Sequence, residues 1–78
     1  MMYTIVFFTH SGAIKFNRKM VKENISCELM PVPRRLSSNC GIGAKVNFVG
    51  DYIELISDDI EKIFLYDNEK EKLVYESE

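Results

Sequence analysis

Cys40 stands within residues 31–43, P-V-P-R-R-L-S-S-N-C-G-I-G, which gather both prolines of the chain, two adjacent arginines, two serines, an amide, a thiol and two glycines. A cysteine reacts as its thiolate, and ionisation is favoured by nearby cations and by backbone N–H groups aimed at the sulfur. Arg34 and Arg35, six and five residues upstream, can supply the cations. Ser37 and Ser38 offer hydroxyl donors, while Gly41 and Gly43 permit the positive-φ bends from which main-chain anion nests are made. The alternative is a thiol that serves as a small buried hydrophobe beside glycines that merely turn the chain. The polar surroundings favour the reactive reading.

Pro31 and Pro33 each remove a backbone donor and push the preceding residue toward extended geometry, so this stretch reads as a loop. The elements on either side must hold it. Residues 2–8, M-Y-T-I-V-F-F, are β-branched and aromatic with little polar alternation, the pattern of a central strand. Thr9 or Ser11 can cap a helix running to about Glu23, with Asn24 suited to the left-handed position that ends it. Ala13, Phe16, Asn17, Met20 and Val21 fall on one side of that helix, and Lys15, Arg18, Lys19 and Lys22 on the other. A basic stripe of this kind is ordinarily a solvated face; its functional alternative is docking of an acidic partner.

Residues 25–30 read as a second strand, parallel to the first in a right-handed βαβ unit because a helix separates the two. The loop then leaves the carboxyl end of this strand, where open α/β sheets place binding sites. Cys27 lies inside it and reads as a buried structural thiol. Alternation over residues 44–49 gives a third strand. Asp51 can cap a short helix over 52–57, although V-N-F-V-G-D-Y-I-E-L-I also fits a hairpin with a Gly-Asp turn. The remainder reads as two strands around a polar turn, the last an edge strand guarded by Lys70, Lys72 and acidic residues. The order β-α-β-β-α-β-β is that of an α+β, ferredoxin-like βαββαβ sandwich with one extra C-terminal strand, in a single domain over residues 1–78.

Residues 25–43, I-S-C-E-L-M-P-V-P-R-R-L-S-S-N-C-G-I-G, resemble the hallmark segment of the selenium/sulfur (Se/S) carrier-like family of small bacterial and archaeal proteins. The match covers Pro31, Pro33 and Arg34, the Ser37 position and the pair Cys40-Gly41, and it favours the helix over the hairpin at 52–57. The resemblance implies a carrier whose Cys40 holds sulfur or selenium as a persulfide or selenyl-sulfide and passes it between a donor, such as a cysteine desulfurase, and an acceptor enzyme. No cofactor is implied, and Cys27 falls where the family has no cysteine.

The totals narrow the remaining classes. At 78 residues, 46% apolar with five Phe and four Tyr, the chain has the balance of a small globular protein. The opening M-M-Y-T-I-V-F-F reads as a strand rather than a leader or span, and a cytoplasmic location is expected. Two cysteines in that setting do not suggest a disulfide, and Cys27, Cys40 and His10 lack metal-ligand spacing. Nucleic acid fits poorly with a pI near 5.4 and with aromatics that sit apart from the basic residues. Charge divides along the chain: seven Lys/Arg against two Glu in residues 1–50, three Lys against ten Asp/Glu in residues 51–78.

Two functions therefore compete with the carrier. One is a non-catalytic module that holds an oxyanion or nucleotide phosphate with Arg34, Arg35, Ser37, Ser38 and Gly41. The other is an independent cysteine enzyme: a phosphatase signature needs arginine at position 46, which is Val46, and the single imidazole, His10, reads as a capping or surface residue beside the helix start. An exposed strand edge or the basic helix face offers a route to a homodimer.

Overall fold

The computed structural model describes residues 1–36 and 41–78. Its elements are β1 (Met2–Phe7), α1 (His10–Lys22), β2 (Cys27–Pro31), β3 (Ile42–Asn47), a 3-10 turn (Tyr52–Leu55), β4 (Ile60–Asp67) and β5 (Lys70–Glu76). The five strands form one sheet in the order β2-β3-β1-β4-β5 with every neighbouring pair antiparallel.

The helix follows its sequence signals closely. Thr9 is the N-cap, its hydroxyl accepting from the Gly12 N–H at 3.0 Å, and Asn24 takes φ 59 just past the end. Ala13, Phe16 and Met20 face the sheet, joined by Gly12. Val21, expected on that face, is 62% exposed because the helical turn carries it past the edge of the stripe. Lys15, Arg18, Lys19 and Lys22 are exposed, as the solvated-face reading requires.

The α+β class holds, with one correction to the detail. The helix expected over 52–57 is a single 3-10 turn, so α1 is the one α-helix among the described residues and the two-helix layer of a ferredoxin-like sandwich is not formed. Asp51 does cap that turn, accepting from the Ile53 N–H at 3.1 Å, but Ile56 returns to extended geometry at once. β2 runs in the same direction as β1, as expected, and β3 lies between them. Gly43, Ala44 and Val46 of β3 are fully enclosed and suit a central position, whereas Glu28 of β2 is exposed and suits an edge.

β4 and β5 form the expected terminal hairpin, with Asn68 and Glu69 both at positive φ in a two-residue turn between Asp67 and Lys70. β5 is an edge strand. On the α1 side of the sheet, Tyr3, Ile5, Phe7, Ala44, Val46, Ile60 and Ile63 pack against Ala13, Phe16, Met20 and Leu55. On the other side a smaller group, Val6, Phe64, Val32 and Leu36, draws two of its four members from the loop after β2.

Candidate functional site

β1 and β2 run the same way, so the start of α1 and the loop after β2 emerge at the same end of the sheet. Pro31 pairs with Ile42 as the last rung of the β2–β3 ladder, and the Val32 N–H donates to the Gly41 carbonyl at 2.8 Å. The loop is thus closed at its base by main-chain bonds. Beyond that base the chain makes a β-turn, the Leu36 N–H donating to the Pro33 carbonyl at 2.9 Å. Arg34 and Arg35 are its two central residues and both are exposed, while Leu36 swings back to pack on Val6 and Phe64. Proline-rich spacing therefore does positional work here: it throws the two guanidiniums outward between two buried apolar anchors, Val32 and Leu36.

Of the sequence-predicted site, Arg34, Arg35 and Gly41 are exposed around this loop. Ser37, Ser38 and Cys40 lie outside the described residues. Neither arginine takes part in an ion pair among the described residues.

The glycine reading needs correction at Gly43, which does not take the left-handed backbone of a nest. Gly43 has a different use. A Cβ there would run into the Val32 side chain and come within 2.6 Å of the Ile5 carbonyl oxygen, so its missing side chain lets the loop fold down over β3 and β1. A Cβ at Gly41 would meet no atom within 4 Å among the described residues.

Cys27 is half-buried, paired in register with Val46 at the far end of β2 from the loop, and packs against the α1-side core. Burial pushes its thiol above the ordinary range, which disfavours the nucleophilic thiolate. No group of three or more metal-ligating side chains occurs among the described residues.

Sequence reasoning passed over one neighbour of the loop. An open pocket of about 400 Å³ is lined by His10, Leu29, Met30, Pro31, Gly41 and Ile42. His10 and Gly41 are far apart in sequence, and only the shared direction of β1 and β2 brings them together. The signal available was that both follow strands whose ends belong to the same edge of the sheet.

In comparisons with known proteins, a family model described as Putative Se/S carrier protein-like matches residues 2–63, a span that includes the whole loop. No curated protein and no solved structure matches.

Proposed function

The chain belongs to the Se/S carrier-like family, and on that premise we propose that it carries sulfur or selenium on Cys40. The observation that carries this reading is the family match across the loop. Two further features support it: paired, exposed arginines beside the segment that bears the thiol, and a loop base held by the Pro31–Ile42 rung and the Val32–Gly41 bond. In the transfer step the Cys40 thiolate attacks the terminal sulfur of a donor persulfide. The donor's S–S bond breaks as the new one forms, the donor leaves as a thiolate that takes up a proton, and no net oxidation occurs. A donor bearing selenium gives the selenyl-sulfide in the same way. Arg34 and Arg35 stabilise the anionic forms, Ser37 and Ser38 donate hydrogen bonds, and Gly41 leaves the approach unobstructed. The partners are a donor such as a cysteine desulfurase and an acceptor enzyme. The location is the cytoplasm, where free thiols persist.

Incubation with a cysteine desulfurase and cysteine, followed by intact-mass measurement, tests this. The wild type and Cys27→Ser are expected to gain the mass of one sulfur atom and Cys40→Ser to gain none. Equal labelling of Cys40→Ser refutes the assignment. The anion-binding module is supported by the exposed arginines alone, and Gly43 lends it no left-handed turn. Its signature is thermal stabilisation by phosphate that survives Cys40→Ser.

A further inference from the structure

The two edges of the sheet carry different side chains. Along β5 stand Lys70, Glu71, Lys72 and Glu76, charges that discourage another strand from pairing there. β2, at the opposite edge, reads C-E-L-M-P, with Glu28 as its one charge. Its ladder fixes which of its peptide groups face outward. The Ser26 carbonyl accepts from the Asn47 N–H at 3.1 Å and the Val32 N–H donates to the Gly41 carbonyl at 2.8 Å, so the even-numbered residues of this stretch bond to β3. The peptide groups of Cys27, Leu29 and Pro31 therefore point away from the sheet, and no described strand lies beyond them. Pro31, lacking an N–H, costs the β3 ladder nothing at such a position. Above this edge α1 continues the apolar surface. The helix lies closest to β2 and β3, and His10, Ile14, Asn17 and Val21 follow one another along a single flank. His10 on that flank lines the pocket with Leu29, Met30 and Pro31, so the flank looks over β2. Ile14 and Val21 are 43% and 62% exposed there, above the half-buried Cys27 and Leu29.

We propose that two copies of this chain join through β2, each pairing antiparallel with its counterpart about a two-fold axis at Leu29. In that register Leu29 exchanges a pair of main-chain bonds with Leu29 of the second copy. Each Cys27 N–H meets the opposite Pro31 carbonyl, while the Cys27 carbonyls stay in water at the ends of the seam. Glu28 faces Met30. A centre at Glu28 would set two carboxylates opposite each other, and one at Met30 would leave the Leu29 carbonyls facing proline nitrogens. The two-fold keeps both α1 helices on one face of a continuous ten-stranded sheet. With strands about 4.8 Å apart, helices over β2 and β3 come within about 10 Å of each other, the distance at which helices pack. Ile14 and Val21 then close on their counterparts and leave water, whereas Arg18 and Lys22 lie further round the helix and stay solvated. The dimer stands whether or not Cys40 carries sulfur.

Sedimentation equilibrium on the full chain tests this. The wild type is expected at twice the 9.1 kDa of one chain. Val21→Lys, a change at a position exposed in the single chain, is expected to raise the dissociation constant roughly a hundredfold, about tenfold for each valine no longer buried, with unchanged circular dichroism. A covalent test reads the register. In Cys27→Ser, Cys40→Ser protein, Leu29→Cys is expected to form an interchain disulfide on oxidation, since opposed residues of such a pair stand about 5.5 Å apart, whereas Glu28→Cys faces Met30 and stays largely reduced. A wild type that keeps the mass of one chain at every concentration overturns the proposal and leaves the edge to a strand of another protein. A dimer that Val21→Lys does not weaken and Leu29→Cys does not cross-link overturns it as well, because its seam then lies elsewhere.

Discussion

On one face of the sheet, α1 lays Ala13, Phe16 and Met20 over Ile5, Phe7 and Ile63, three side chains with no solvent exposure. On the other face, Val6 and Phe64 are covered by two side chains of an irregular loop, Val32 and Leu36. The helix covers its face with a stripe that repeats every turn. The loop covers its face with two residues four apart, with a β-turn between them that exposes Arg34 and Arg35. The comparison teaches where the molecule keeps its stability and where it places its chemistry: a deep, redundant core on one side, and on the other a thin cover that doubles as the carrier of polar groups.

The largest expected effect separates the two faces. Phe7→Ala, which empties the helix-side core next to Phe16, should cost about 3–5 kcal/mol, whereas Leu36→Ala on the loop side should cost about 2 kcal/mol. Urea unfolding measures both. Leu36→Ala should also speed limited trypsin cleavage after Arg34 or Arg35, a change that Phe7→Ala at equal residual stability would not single out. An equal cost at both positions would mean that the loop is as much core as the helix.

A middle-sized effect probes the contact between loop and sheet. Gly43→Ala forces a methyl group against Val32 and the Ile5 carbonyl, and a loss of about 1–3 kcal/mol is expected, with the same rise in trypsin sensitivity. Gly41→Ala, at an exposed position where the added carbon meets no atom within 4 Å among the described residues, should stay within about 0.5 kcal/mol of the parent. If the two glycines behave alike, the close-approach account of Gly43 fails.

The smallest effect concerns the thiol that faces the helix-side core. Burial raises the folded Cys27 thiol above its unfolded value, so its contribution is complete below the ordinary thiol pKa of about 8.5 and is lost as pH climbs through the raised folded value. Denaturant unfolding between about pH 8 and 10 should show stability declining in the parent and declining less steeply in Cys27→Ala. No difference in slope would mean that Cys27 is more open to water than its half-buried position indicates.

Much of the fold was readable before any coordinates. The Thr9 cap, the span of α1, Asn24 at its left-handed end and the terminal hairpin all rest on interactions between residues a few positions apart, which the local sequence states directly. The loop was readable for the same reason, since prolines remove backbone donors and end a ladder, as Pro31 does at its last rung. The shared direction of β1 and β2 was readable too; between them β3, with its glycine and small apolar residues, takes the enclosed place, with β2 at the edge. The 3-10 turn at Tyr52–Leu55 was not readable, because the local sequence fitted a short helix and a hairpin alike.

What the sequence alone determined about this protein is the presence of a polar, arginine-flanked cysteine loop after an early helix, and with it the family, because those features are written in neighbouring residues. Only the tertiary structure decided that the loop is pinned onto the sheet by Val32 and Leu36, that Gly43 serves contact rather than curvature, and that His10 shares a pocket with Gly41. These depend on residues separated by tens of positions meeting at one end of a sheet. No local preference encodes that, since it follows from the strand order that buries the most apolar surface.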